Sequence, residues 1–224
     1  MSFSPLSVKR ETAETVFAIE LEPRQSVAES LPIPNRLLSH FVDHFAQASG
    51  INVRLTEDRW PGSWRFDHVL CEDLGQAIGR GLLEIHDRRA ASDGVDGRAS
   101  VTTCMDDDGS SLALSFERRP RVDWDNPGGI DVDGFVDSWY EEGDRQSSCY
   151  GTNLRQFVDG LVLGAQLTVA IRVERAENLH HLYEVVFRAL GDAVGQALGT
   201  RTRLAGDSSG LARSWQFEVS EISS

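Results

Sequence analysis

The sequence predicts a mixed helix-and-strand fold built from one unit used twice, and three observations point to it. First, a helix-spaced apolar run (Leu38, Phe41, Val42, Phe45) leads into an alternating run (Ile51, Val53, Leu55). A second helical run follows, Leu74 to Ile85, headed by His68 and Glu72. Second, the same succession returns. Leu154, Phe157, Val158, Leu161 and Val162 are helix-spaced; Leu167, Val169, Ile171 and Val173 alternate; a long helical run to Leu198 is headed by His180, His181 and Glu184. Third, the letters themselves recur, Phe41-Val42-Asp43 against Phe157-Val158-Asp159. Self-similarity at this scale is the mark of internal duplication. The predicted units are residues 10–92 and 99–204, joined in one duplicated domain, with 205–224 as a C-terminal tail.

Each element has its own signal. Val16 to Leu21 reads as a strand, with the polar hexad Arg10 to Thr15 at or near a sheet end. Pro32 and Pro34 bracket the entry to the first helix, which stops near Ser49-Gly50. Residues 58–67, with Trp60-Pro61-Gly62, read as a turn into the second helix, which ends before Ala91-Ser92-Asp93-Gly94. Leu112, Leu114 and Phe116 alternate in a strand that ends at Arg118-Arg119-Pro120. The acidic, Gly-rich stretch from Asp123 to Tyr150 reads as loop or irregular structure.

Composition narrows the function classes. The 224 residues are 40% apolar and 25% charged, ordinary for a soluble globular chain. A formal net charge of -13 without any dense Lys/Arg block argues against a nucleic-acid partner. No apolar stretch approaches bilayer-spanning length, and Met1 to Leu21 lacks a signal-peptide core, so a cytoplasmic protein with no membrane partner is expected. Cys71, Cys104 and Cys149 show no paired spacing and read as reduced, structural thiols.

The chemistry concentrates at the heads of two helices. His180 and Glu184 stand one turn apart, with His181 three residues from Glu184, and His68 and Glu72 repeat the four-residue spacing. One such motif alone reads as a helix start, with Glu184 pairing with Arg188 at i+4; its echo favours a duplicated metal-binding unit. Neighbouring imidazoles on a helix point roughly 100° apart, so His180 and His181 are expected to serve different partners, one of them across an interface. A His and carboxylate set suits manganese, iron or zinc. His40 and His44 are either further ligands or polar-face residues. His86 reads as a solvated surface residue, Asp106-Asp107-Asp108 as a turn in which Asp106 can present a carboxylate, and Arg119 as poised at a strand end.

Taken in order from Arg10 to Gly210, these residues resemble the imidazoleglycerol-phosphate dehydratase family. Arg10, Thr12, Glu14 and Thr15 match its Arg-x-Thr-x-Glu-Thr; His40 matches its Asp-His-Met; His68, Glu72 and Asp73 match its His-His-Thr-Val-Glu-Asp. Met105 and Asp106 match Met-Asp-Glu, Arg119 and Pro120 match Gly-Arg-Pro, and Asn178, His180, His181 and Glu184 match Asn-x-His-His-x-x-Glu. Phe187, Arg188 and Ala189 stand for Phe-Lys-Ala. The resemblance implies an α+β fold whose two units each place helices on one face of a sheet, and an assembly of twenty-four subunits with sites between them. It implies a manganese-dependent hydro-lyase of histidine biosynthesis that dehydrates imidazoleglycerol phosphate to imidazoleacetol phosphate. The implied metal ligands are His40, His68, Glu72, His180, His181 and Glu184. Glu14, Glu72, Glu184 and Asp106 are the implied catalytic groups, and Arg119, Arg188, Arg98, His44 and Ser208 the implied substrate and phosphate contacts.

The chain also departs from that pattern. Val69 and Ala170 stand where the family has histidines, as does Ala48. His44 replaces a glutamine, Gly97 an arginine, with Arg98 one place away, and Asp207-Ser208-Ser209-Gly210 lacks the lysine of the phosphate loop. The expected outcome is about one tight ion per chain, in a set of His68, Glu72, His181 and His40, while His180 and Glu184 are left short of partners. A diverged paralogue acting on another substrate and a non-catalytic assembly protein remain the alternatives to the dehydratase.

Overall fold

The computed structural model describes residues 3–23, 33–59, 67–136 and 149–201. The expected turn at 60–66, much of the stretch read as irregular, Ser208 and the 205–224 tail lie outside the described residues. The strands are β1 (Leu6–Glu11), β2 (Val16–Pro23), β3 (Ile51–Arg59), β4 (Arg98–Met105), β5 (Asp108–Ser115), β6 (Arg121–Asp125), β7 (Phe135–Val136), β8 (Cys149–Tyr150) and β9 (Thr168–Arg175). The helices are α1 (Arg36–Ser49), α2 (Asp67–Ser92), α3 (Gly151–Ala165) and α4 (Leu179–Ala197).

Two main sheets result. The first is antiparallel in the order β1-β2-β3; the second runs β4-β5-β9-β6, antiparallel except that β6 lies parallel to β9. In the first sheet a hairpin is followed by the strand that comes after α1. In β4-β5-β9 a hairpin is followed by the strand that comes after α3. Helices α1 and α2 pack on the first sheet, α3 and α4 on the second, while α2 lies along α3 and α1 along α4. The helices therefore form a double inner layer with a sheet on each outer side, an α+β architecture in which each sheet carries its helices on one face.

Local chemistry sets the element ends. Asn35 caps α1 by accepting the Leu38 N–H at 3.0 Å, and Gly50 takes the left-handed conformation (φ 70°) that ends it and turns the chain into β3. Asn178 caps α4, its Oδ1 accepting from the His180 N–H at 2.8 Å and the His181 N–H at 3.4 Å. The α2–α3 crossing is a backbone contact. A Cβ on Gly75 would stand 2.3 Å from the Phe157 carbonyl oxygen, and one on Gly160 2.3 Å from that of Glu72. The helices are as close as they are because both faces lack side chains at the crossing.

Several strands were not legible from their letters alone. β1 and β4 add strands before those expected, and β6, with the short pair β7 and β8, occupies part of the segment read as irregular. In β6 only Val122 and Trp124 are apolar, alternating with Arg121, Asp123 and Asp125 on the solvent face, where Arg121 pairs with Asp123 at 2.8 Å and Asp125 pairs with Arg172. His86 corrects a second expectation. It is buried, stacked 4.3 Å from the Phe116 ring, with Nδ1 3.0 Å from Asp87, because Phe116, just past β5, lies over that turn of α2. Burial tends to raise the Asp87 carboxyl, but hydrogen bonds from His86 and Arg118 outweigh it and the group is lowered.

All three cysteines are free. Burial raises the Cys71 thiol well above its ordinary range and pushes Cys149 up to about 12, so both behave as apolar core residues. Among the described residues, no helix is long and apolar enough to cross a membrane.

Candidate functional site

Where α1 lies along α4, four titratable side chains meet. His40 and His44 come from successive turns of α1, and His180 and Glu184 from successive turns of α4. Glu184 Oε1 is the common point, 2.5 Å from His40 Nε2, 3.2 Å from His44 Nε2 and 3.4 Å from His180 Nε2. Phe41 lies beneath them, its ring centroid 5.5 Å from His180 and 5.4 Å from Phe187, an apolar floor that limits how the imidazoles turn. Burial alone would raise the Glu184 carboxyl. Hydrogen bonds from His180, His40 and His44 outweigh it and hold the group well below the ordinary carboxylate range.

Arg188, one turn further along α4, does not pair with Glu184. Its Nη2 lies 3.4 Å from His44 Nδ1 and 3.5 Å from Met105 Sδ. An arginine only donates, so in this arrangement His44 Nδ1 accepts and its Nε2 proton points at Glu184; holding an ion through Nε2 would require that proton to move to Nδ1 and Arg188 to turn away.

This group has the composition of a metal centre. Among the described residues, His40, His44 and Glu184 form the one set of three or more His, Cys, Asp or Glu ligand atoms lying within 4.8 Å of one another. Metal–ligand bonds of about 2.1 Å place neighbouring ligand atoms roughly 3.0–3.4 Å apart in tetrahedral or octahedral geometry. The 3.2 Å between His44 and Glu184 already matches, and the 2.5 Å between His40 and Glu184 needs only to lengthen. The residues present therefore fit a divalent ion. Within one protomer His40 stands against Glu184, because α1 packs on α4 and not on the head of α2.

His181 diverges from His180 as the helical angle requires, the two rings standing 5.9 Å apart at 82°. It faces the β4–β5 turn, with Nδ1 3.9 Å from Asp106 Oδ2 and 3.8 Å from Asp108 Oδ2. Asp106 is exposed, with φ 50°, and Asp108 is only 1% exposed. Asp108 is a buried neighbour of His181 that the sequence reading passed over. Its signal was parity, since Asp108 shares the inward face of β5 with Ser110, Leu112 and Leu114.

The remaining expected residues lie apart from the cluster. His68 and Glu72 are exposed on the first turns of α2, where Glu72 Oε1 accepts from Gln76 at 3.0 Å. Glu14 is exposed in the β1–β2 turn. That turn is clamped to α2 by the Arg10–Asp73 ion pair at 2.7 Å and by the hydroxyl of Thr15 donating to Asp73. Arg98 and Arg119 are exposed at the second sheet, and the Arg119 carbonyl accepts from Thr168 at 2.8 Å. Ala170 points to the exposed face of β9, opposite Val169 and Ile171.

Comparison with known proteins gives the family. Among curated proteins, the imidazoleglycerol-phosphate dehydratase of Nitratiruptor sp. is 24% identical over 203 residues, covering 88% of this chain and 94% of that one. The Pseudomonas aeruginosa enzyme of the same name is 27% identical over 210 residues, covering 89% and 92%. Among solved structures, the Staphylococcus aureus enzyme superposes with a TM-score of 0.67 at 22% identity, covering 88% of this chain and all of that one. The Pyrococcus furiosus enzyme gives 0.65 at 24% identity. At these identities the structural likeness speaks to the fold alone. Residues 33–194 match the family description imidazoleglycerol-phosphate dehydratase, and the chain belongs to that family.

Proposed function

We propose that this chain is a divalent-metal-dependent hydro-lyase that dehydrates imidazoleglycerol phosphate to imidazoleacetol phosphate in histidine biosynthesis, acting in the cytoplasm. The observation that carries the reading is the His40, His44 and Glu184 group, within ligand distance in a chain of that family. These three would hold the ion, manganese by the resemblance, while His180 keeps Glu184 oriented. When bound, the ion would supply Lewis acidity, letting an imidazole ring take up electron density while a weakly acidic C–H proton is removed.

Glu184 receives three imidazoles and stays ionised, which suits a ligand better than a proton carrier. Glu14 and Glu72, both exposed, are the groups proposed to take the proton and to help the hydroxyl depart, with Asp106 beside His181 as a further candidate. Arg188, next to the cluster, and Arg119 would hold the phosphate, with Arg98 and Ser208 as additional contacts. His68, Glu72 and His181 are proposed to complete a second ligand set between subunits of a large homo-oligomer, twenty-four by the resemblance. The two halves, 10–92 and 99–204, are proposed to be copies of one unit.

A second reading has its own observation. Val69 and Ala170 offer no ligand atom, which favours a paralogue that keeps one ion and takes another substrate. Turnover of imidazoleglycerol phosphate by the manganese-loaded protein decides between them. Product formation supports the dehydratase. Bound metal without turnover supports the paralogue, and absence of both leaves a non-catalytic assembly protein.

A further inference from the structure

Asp108 sits where the β4–β5 hairpin meets the start of α4, and its two oxygens have unequal surroundings. Oδ1 accepts the Glu177 N–H at 2.8 Å and the Asn178 N–H at 3.4 Å, tying the hairpin to the residues that lead into α4. Oδ2 is buried and makes no hydrogen bond, and His181 Nδ1 lies 3.8 Å from it. A carboxylate oxygen shut away from water without a donor is costly, so its place needs a reason. One small rotation of the half-buried His181 ring closes the gap to hydrogen-bond length. An acceptor at Nδ1 places the ring proton there and leaves the Nε2 lone pair directed away from the hairpin.

We propose that Asp108 is a positioning residue for His181, holding it in the tautomer protonated at Nδ1 and unprotonated at Nε2. The inference rests on the reading of His181 as a metal ligand, since a histidine that ligates through one nitrogen generally donates its other N–H to a carboxylate or carbonyl. Asp106 also faces Nδ1, at 3.9 Å, but its side chain is 67% exposed and solvated, so it fixes the ring less firmly.

Asp108→Asn separates this role from the helix-start contact. The amide oxygen still accepts from Glu177 and Asn178, while the amide NH2 faces His181 Nδ1 and can only donate. The test is magic-angle-spinning 15N spectroscopy of histidine-labelled, metal-free protein at about pH 8, where unperturbed imidazoles are neutral. His181→Gln assigns the resonances. The native protein and Asp106→Asn are expected to show His181 protonated at Nδ1, and Asp108→Asn to show it protonated at Nε2, with melting temperature confirming the fold. Manganese titration of the same samples is expected to show affinity lower by about 10–100-fold in Asp108→Asn. The same tautomer in the native protein and Asp108→Asn, or Nε2 protonation in the native protein, overturns the proposal. A switched tautomer with unchanged manganese affinity upholds the positioning role and removes His181 from the ligand set.

Discussion

The heads of α2 and α4 carry the same His-x-x-x-Glu spacing and have opposite fates. His180 and Glu184 are buried against α1, whose His40 and His44 complete a cluster around one carboxylate oxygen. His68 and Glu72 are exposed, because the helix that α2 lies along is α3, and the two meet through glycines and bare carbonyls. Ligand spacing within a helix prepares half a site. Whether it becomes a centre depends on what the neighbouring helix presents.

The comparison breaks most completely at Glu184. Glu184→Gln removes the charge that gathers three imidazoles, and manganese affinity is expected to fall by at least about 100-fold, with kcat/KM down roughly 10²–10⁴-fold. Titration and turnover measure the two. Retention of both within a few-fold would mean that the α4 head is no more a centre than the α2 head.

Glycine variants sharpen the contrast between the crossings. In Gly160→Ala the new Cβ meets the Glu72 carbonyl at 2.3 Å, and in Gly191→Ala it meets the Phe45 carbonyl at 2.4 Å. Each is expected to cost about 2 kcal/mol, some 4–8 °C in melting temperature. Only Gly191→Ala, which forces α4 from α1, should also weaken metal binding. Equal metal affinity in the two variants would show that the α1–α4 separation does not set the cluster.

Much of this was legible in the sequence. The four helices and strands β2, β3, β5 and β9 follow from apolar period and caps, and the collinear motifs pointed to the family that comparison bears out. The divergence of His180 and His181 follows from the helical angle. What escaped was set by tertiary contact. β6 has too few apolar residues to announce itself and exists because β9 offers an edge. His86 is buried because Phe116 lies over it. The sequence could not say that α1 would pack on α4 and set His40 against Glu184, and Asp108 was hidden in an acidic turn by neighbours that face water.

pH provides a gentler probe. Glu184 is lowered below its unfolded value, so its contribution to stability is fully present above the ordinary carboxylate range and is lost as pH falls through its depressed native value. Urea unfolding of the native protein and Glu184→Gln at pH 5, 4 and 3, below the ordinary imidazole range of about 6.5, should show a stability difference that shrinks with falling pH. A difference that grows would reverse the sign. The smallest effect is expected at the other helix head. His68→Ala and Glu72→Ala, at exposed positions, should each change protomer stability by no more than about 0.5 kcal/mol and leave manganese binding at the α1–α4 cluster unaltered.

The central claim is that, within one protomer, helix packing lets only the α4 head of the two like-spaced motifs gather a set of metal ligands. Anomalous scattering at the manganese edge from crystals of the manganese-loaded protein, refined against elemental analysis of the same preparation, tests it directly. A strong peak between His40, His44 and Glu184 in every protomer is predicted. No peak there, with manganese found instead only beside His68 and Glu72, would contradict it.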